Sequence, residues 1–337
     1  EGFGVSAGPA ADCESDGKGG QQECSYDAPV DSIQLHCFSR RRCYGSRMAH
    51  CSSIDGISLV VLAAGLGRRF GGGKQLASVG ATGRPLMYFS VMDAWRAGIR
   101  KLVLVVNQAI GQAIREQFLP LLPSGMETKL VLQESGDLPA ACSAPAREKP
   151  WGTGHALWCA RNAVPGDCIV FNADDYYGPS SMALLARHFA GQRNWAMVSF
   201  PLASTLSEFG TVNRGLCEVR DGSLFSVQEC LGIVREGELI RGAIKGNVVT
   251  LDGALPVSMN IWGFSAGIFA CLERGLGRFF AGEGQQDGAE YYLPAQVMAS
   301  VAAGEGSVTV YPGRDHWYGI TYREDLDRLG RVFQVHG

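Results

Sequence analysis

Gly65, Gly67, Arg69 and Lys74 fall within one short stretch, Leu62 to Gln75, with Gly71, Gly72 and Gly73 between the two cations. Glycines let a backbone approach a ligand closely and adopt positive φ, and the successive N–H groups of such a turn form an anion-binding nest. Arg69 and Lys74 supply the opposing charge, so the stretch is suited to holding phosphates. A second candidate is the pair Asp174 and Asp175, which follows an apolar run from Cys168 to Asn172. A carboxylate at such a strand end can hold Mg²⁺ against phosphate oxygens, because magnesium takes one or two carboxylates together with phosphates and waters. The competing reading is a turn that caps a helix starting at Ser180. With the phosphate loop in the same chain, metal binding is favoured for Asp174, and Asp175 is its neighbour.

These residues need a scaffold, and the hydrophobic pattern supplies one. Strands are expected over Ile57 to Ala63, Lys101 to Val106, Thr128 to Gln133, Cys168 to Asn172 and Trp195 to Pro201. Helices are expected between them over Pro85 to Ala97, Ile110 to Phe118, Gly154 to Asn162 and Ser180 to Ala190. Runs such as Leu102 to Val106 lack polar alternation, which suits parallel strands covered on both faces. The expected fold is α/β, a doubly wound, mainly parallel mixed sheet with ligands at the carboxyl ends of its strands. After Pro201, shorter strands over Thr211 to Val219, Ser223 to Gln228, Asn247 to Leu251 and Val257 to Phe264 predict a small antiparallel extension. Helices at Ala266 to Phe280 and Tyr292 to Ala302, a strand at Val308 to Tyr311 and a helix at Arg323 to Gln334 follow. No internal repeat appears, and no hexapeptide array of a β-helix.

Composition excludes several classes. With 337 residues and 46% hydrophobic content the chain can bury a large core without disulfides. A net charge of -3 gives no nucleic-acid footprint, and no apolar run reaches the roughly 20 residues needed to cross a bilayer. Neither nucleic acid nor membrane is an expected partner. Of the 11 cysteines, five crowd the first part of the chain up to Cys51 and none has zinc-type spacing. The later six read as small core residues in a reducing compartment, and a cytoplasmic location is expected. Residues 1–56 mix Gly, Ser, Asp and Gln with the basic run Arg40 to Arg42 and show neither helical nor strand periodicity. They are expected to be a disordered or non-native N-terminal extension, with the functional part beginning near Met48.

The glycine-rich stretch is not a P-loop, because Gln75 stands where the hydroxyl after Lys74 is required. It is a poor dinucleotide fingerprint, because two arginines and a lysine add more cation than a pyrophosphate normally needs. Gly65-Leu66-Gly67-Arg68-Arg69 with Lys74 resembles instead the signature of the sugar-phosphate nucleotidyltransferase family. Pro150 to Leu157 (PWGTGHAL), Asn172 to Gly178 (NADDYYG), Val257 to Phe264 (VSMNIWGF), Glu290 to Pro294 (EYYLP) and Trp317 to Thr321 (WYGIT) agree with it in order and spacing. The similarity runs from about Ile57 to the C-terminus, and it implies an NTP-binding part over residues 57–201 and an acceptor-binding part over 202–337.

The resemblance implies Mg²⁺-dependent transfer of a nucleoside monophosphate from an NTP to a sugar 1-phosphate or similar phosphorylated acceptor, with pyrophosphate leaving. An acceptor phosphate is already anionic at neutral pH, so no general base is required and positioning with charge neutralisation dominates. By this likeness Arg69 binds the triphosphate, with Arg68 a secondary contact, and Lys74 bridges donor and acceptor phosphates. Asp174 ligates the metal. Where many relatives place a second ligand, an Asp on a late strand, this chain has Gly319, which leaves Asn260 or Asp315 for that role. Base recognition is expected from Ala63, Gly65, Gln133, Gly152 and Thr153. His155 is read as a packing or phosphate-proximal residue. Gly210, Glu229 and Asn260 are expected on the acceptor, but Cys230 replaces the basic residue that often follows the glutamate. That departure leaves room for another alcohol phosphate such as phosphocholine, with Trp151, Trp262, Trp317 and Tyr318 as candidate aromatic walls. The alternatives are a nucleotide-sugar-dependent glycosyltransferase and a non-catalytic nucleotide-sensing subunit; the oligomeric state is left open.

Overall fold

Three strands of nearly unbroken apolar sequence, Ser58–Leu62 (β1), Lys101–Val106 (β2) and Cys168–Asn172 (β4), are buried along almost their whole length. That burial follows from cover on both faces: Leu59, Val61 and Ala63 face one core, and Val60 and Leu62 face another. The computed structural model describes residues 56–65, 73–145, 147 and 149–333, so residues 1–55 of the expected extension lie outside the described residues, as do Gly67, Arg68 and Arg69.

Among the described residues an 11-stranded sheet runs β10-β9-β8-β12-β6-β11-β4-β1-β2-β3, with β7 paired to β11 and β8. Here β3 is Glu127–Leu132, β6 Trp195–Pro201, β7 Val212–Arg220, β8 Ser223–Glu236, β9 Leu239–Ile244, β10 Asn247–Leu251, β11 Pro256–Phe264 and β12 Val308–Pro312. β3, β2, β1 and β4 are parallel, whereas β11 lies antiparallel between β4 and β6. The chain therefore moves outward from β1 to β3 and returns to β4 on β1's other side. This reversal opens a crevice at the carboxyl ends of β1 and β4, where Leu62 and Asn172 stand level in register.

Helices Leu86–Arg96 (α1) and Pro179–Gly191 (α4) cover one face, and Thr153–Cys159 (α3), Ile268–Ala281 (α5) and Leu293–Ala302 (α6) cover the other. α5 shows why: Ile268, Cys271, Leu272, Gly275, Leu276 and Phe279 fall on one buried stripe. Gln108–Ala113 (α2) is shorter than the expected helix, because the chain widens to a π turn over Ile114–Phe118. A last helix, Asp325–Phe333 (α7), closes the described chain.

The extension is longer than its sequence pattern indicates. β8 continues to Glu236 and pairs with β9, a strand the periodicity does not reveal. Gly232, at φ 62, breaks the alternation, and the register slips between Leu231 and Val234, as expected of a bulge. Two tight turns drive the meander: Asp221-Gly222 (φ 49 and 73) and Lys245-Gly246 (φ 49 and 83). Positive φ at both central residues matches the twist of a two-residue hairpin.

Gly263 on β11 is a clearance point, since a Cβ there would stand 2.8 Å from the Phe189 ring of α4. Gly263→Ala should destabilise the fold by about 1–3 kcal/mol through overpacking, read as a lower urea midpoint with unchanged slope. An unchanged midpoint would show that α4 can move away from the sheet freely.

Candidate active site

Beyond β1 the backbone is held from two sides. Asn107, the N-cap of α2, accepts from the Ile110 N–H at 3.1 Å and donates through Nδ2 to the Ala64 carbonyl at 3.0 Å. The buried Gln75 amide donates to the Gly65 carbonyl, tying the start of the glycine-rich loop to its return. The chain re-enters at Gly73, whose φ of 66 turns it into Lys74. The Lys74 ammonium ion-pairs with the Asp174 carboxylate just past β4.

Two cavities meet at that pair. One, of about 420 Å³, is lined by Gly65, Gln133, Gly152 and Thr153, and the other, of about 600 Å³, by Arg214, Glu229, Asn260, Tyr292 and Trp317. Lys74, Asn172 and Asp174 line both. Gly210 lies outside both and packs against the Tyr322 hydroxyl. The Ala63 side chain faces the core while its N–H donates to Val105, so Leu62 and Ala64 line the smaller cavity instead.

The smaller cavity's wall is two segments stitched together. Tyr291 N–H donates to the Trp151 carbonyl, Gly154 N–H to the Tyr291 carbonyl at 2.9 Å, and Leu293 N–H to Thr153 Oγ1 at 3.0 Å. Gly152 must be glycine twice over: its φ is 106, and a Cβ would meet the Tyr291 carbonyl at 2.9 Å. Lys149 and Glu290 add an ion pair across the same seam, between residues 141 apart that no local pattern links.

Gln133 and His155 form a polarised relay. His155 Nε2 lies 2.8 Å from the Asp137 carbonyl and must carry the hydrogen there, which leaves Nδ1 as an acceptor. Gln133 Nε2 stands 3.2 Å from that Nδ1 and 3.0 Å from the Gly152 carbonyl. Both amide hydrogens are thereby engaged, and Oε1 is left to accept. Burial pulls the fully enclosed His155 imidazole below its ordinary pKa, which suits an orienting group.

The larger cavity's floor is a hydrogen-bonded chain. Trp262 Nε1 donates to Asn260 Oδ1 at 2.9 Å, Asn260 Nδ2 to Asn172 Oδ1 at 2.7 Å, and Asn172 Nδ2 to Asp175 Oδ2 at 2.9 Å. Asn260 holds a left-handed φ of 61, uncommon for a non-glycine residue. The Tyr177 hydroxyl lies 3.1 Å from Asp175 Oδ2 and 2.9 Å from the Met259 carbonyl, though it has one hydrogen to give. A protonated Asp175 resolves this by donating to Tyr177 while Tyr177 donates to Met259. Burial first, and then the neighbouring Asp174 carboxylate, push the Asp175 pKa up to about 7.

The two candidates for a second metal ligand separate. Asp315 accepts from the Ser180 N–H at 2.8 Å and caps α4, so it lines neither cavity that holds Asp174. Asn260 stays beside Asp174 in the larger cavity. Gly319 also has a physical reason: a Cβ there would stand 2.7 Å from Asp175 Oδ1 and overlap the Trp317 ring. Asp174, Asn172 and Asn260 offer only oxygen acceptors or neutral amides, a donor set that fits Mg²⁺ completed by phosphates and water. Among the described residues no group of three His, Cys, Asp or Glu side chains could hold a metal.

The aromatic residues do not form a cage. Trp151 and Trp262 are fully buried in the core, with the Arg147 guanidinium 4.0 Å above Trp151, and Tyr318 stacks on Tyr176. Trp317 alone of the four lines the larger cavity, and the Arg214 guanidinium stands 5.1 Å from its ring. Arg214 was not anticipated, because a cation in a strand of mixed polarity reads as solvent-facing. Burial lowers its pKa to about 10, with Asp175 acting in the opposite direction, so it stays charged at neutral pH.

Because folding raises the Asp175 pKa from an ordinary 3.8 to about 7, the metal-free native state binds more protons than the unfolded chain in that window. Its stabilising proton is fully present below about pH 4 and is lost as pH rises through about 7. Asp175→Asn removes this titration, so its melting temperature should fall less than the wild type's across that range. Parallel curves would locate the titrating group elsewhere.

The chain is 28% identical over 211 residues to the bifunctional protein GlmU of Corynebacterium aurimucosum, covering 60% of this chain and 39% of that protein. It is 32% identical over 113 residues to the bifunctional protein GlmU of Pelobacter propionicus, covering 34% of this chain and 20% of that one. The chain thus spans well under half the length of these curated relatives. The solved structure of the inositol-1-phosphate CTP transferase from T. maritima shares the fold, with a TM-score of 0.55 at 14% identity over 84% of this chain and 98% of that one. The family described as nucleotidyl transferase matches residues 59–229, just over half of the chain, including all but the first residue of β1, Lys74, the Gly152 turn and Asp174. The chain belongs to the nucleotidyl transferase family.

Proposed function

We propose that the protein transfers a nucleoside monophosphate from an NTP to the phosphate of a small acceptor of the sugar 1-phosphate class, releasing pyrophosphate with the help of Mg²⁺. The observation that carries this reading is the position of Lys74 and Asp174 at the junction of two cavities. A donor in one and an acceptor in the other would bring their phosphates together at that junction. Family membership supports the reaction class, and the inositol 1-phosphate named for the structural neighbour supports a phosphorylated polyol as acceptor.

In the reaction an acceptor phosphate oxygen bonds to the α-phosphorus while the bond to the β-phosphate oxygen breaks, and pyrophosphate carries the electron pair away. Gly65, Gly152 and Thr153 shape the nucleotide side, and Gln133 Oε1 accepts from a donor on the base. Lys74 neutralises charge shared by the two phosphates, which is where an oriented cation gives most in phosphoryl transfer. Bound Mg²⁺, held by Asp174 with Asn260 beside it, would supply further neutralisation of the triphosphate. Glu229 and Asn260 face the acceptor from the larger cavity. Arg69 is assigned to the triphosphate by the family signature and lies outside the described residues.

Pyrophosphate release measured across the common NTPs, each paired with hexose 1-phosphates and inositol 1-phosphate, tests the reading. One pair should stand out, and silence across the matrix in the presence of Mg²⁺ would reject it. On the productive pair, Lys74→Ala should lower kcat by roughly 10²- to 10³-fold, the scale for removing a charge-stabilising donor, with little change in melting temperature. Asp174→Asn should abolish Mg²⁺-supported turnover. Full activity in that variant would remove Asp174 from the metal site.

A further inference from the structure

The larger cavity contains a cation that the fold anchors but does not neutralise. Arg214, on β7, donates through Nε to Thr205 Oγ1 at 3.2 Å, through Nη1 to the Asn213 carbonyl at 2.9 Å and through Nη2 to the Thr205 carbonyl. Of a guanidinium's five N–H groups, these bonds engage three and fix the plane. Trp317 lies along its face. Among the described residues no carboxylate comes within ion-pair distance of Arg214, in contrast to Lys74, which is committed to Asp174.

A charge partly withdrawn from water without a counter-ion is costly, so such an arrangement is stable only where other groups hold it or an anion arrives. Here the neutral carbonyls hold it, and the cavity leaves room for the anion. Position matters as well. Arg214 stands directly across the β7–β8 ladder from Cys230, and Gly215 stands across from Glu229. Cys230 is fully buried against Gly242 and does not line the cavity, whereas Arg214 does. The strand pair therefore presents one cation, from β7, beside the acceptor-side glutamate.

We propose that Arg214 is the residue that binds the phosphate of the acceptor, selecting a phosphomonoester over the corresponding neutral alcohol. The inference rests on the acceptor assignment of the larger cavity. It also excludes a choline-like cation on Trp317, because Arg214 already occupies that ring's neighbourhood and would repel it.

The test is a phosphorus NMR titration of the full chain with inorganic phosphate, with pyrophosphate as a probe of the triphosphate side. Arg214→Met should weaken phosphate binding about tenfold or more, the loss expected for charge-assisted hydrogen bonds, while pyrophosphate binding stays within about twofold. Arg214→Lys keeps the charge but loses the fork, and should fall between Arg214→Met and the wild type. The proposal is overturned by unchanged phosphate affinity in Arg214→Met, by parallel loss of both probes, or by a wild type that binds no phosphate. Should Arg214→Met fail to fold, wild-type phosphate affinity in folded Arg214→Lys overturns it equally. Because no turnover is needed, phosphate binding that depends on Arg214 would survive even if every NTP and acceptor pair released no pyrophosphate.

Discussion

Lys74 and Asp174 lie 100 residues apart in the chain, and their ion pair sets the geometry between the two cavities. It can form only because β1 and β4 are parallel neighbours in matched register, so that the segments leaving them start level. The topology supplies the crevice, and side chains then fix the loop within it: Asn107 on the Ala64 carbonyl, Gln75 on the Gly65 carbonyl. Lys74 thus emerges from a backbone pinned at both ends of the glycine-rich stretch. A positioned cation needs no reorganisation when charge develops beside it.

Absent side chains do as much as present ones. Gly152 lets α3 begin against the Tyr291 backbone, and Gly319 leaves room for the Asp175 carboxylate and the Trp317 ring. Gly178, at φ 78, lies so close to Asp315 that a Cβ would overlap its carboxyl group. That closeness is what allows Asp315 to cap α4 through Ser180. The late segments Glu290 to Pro294 and Trp317 to Thr321 are therefore not separate parts of a site. They are the second halves of walls begun by Gly152 and Asp175, joined by backbone bonds that tolerate no added bulk.

Much of the fold was legible because strands buried on both faces are written as nearly unbroken apolar runs, as in β1, β2 and β4, with Ser199 the one polar break in β6. The far half of β8 was not, because the Gly232 bulge shifts its alternation out of step, nor was β9, because strands exposed on one side carry a weak signal. In the same way Lys74, Gln133, Gly152 and Asp174, singled out by the glycine-rich stretch, by strand ends and by a helix start, line one cavity together. Arg214 was hidden by its setting: nothing in Asn213-Arg214-Gly215 separates a solvated strand cation from one packed on Trp317. Asp315, one of two residues left open for a second ligand because Gly319 stands in the expected place, instead accepts from the start of α4. Residues whose role depends on partners far along the chain are those a local pattern assigns least well.

Charge balance in the larger cavity connects these observations. Lys74 offsets Asp174, and Glu229 is exposed at the far wall, where solvent screens it. Asp175 would add a second carboxylate beside Asp174, but burial and that neighbour favour its protonated form up to near neutral pH. The Tyr177 and Asn172 bonds accommodate a neutral acid, with Tyr177 free to donate to Met259. A site that kept both carboxylates ionised would repel incoming phosphates, and no carboxylate among the described residues stands within ion-pair distance of Arg214. The two strands that carry Asp175 and Arg214, β5 (Asp175–Tyr176) and β7, face a single cavity.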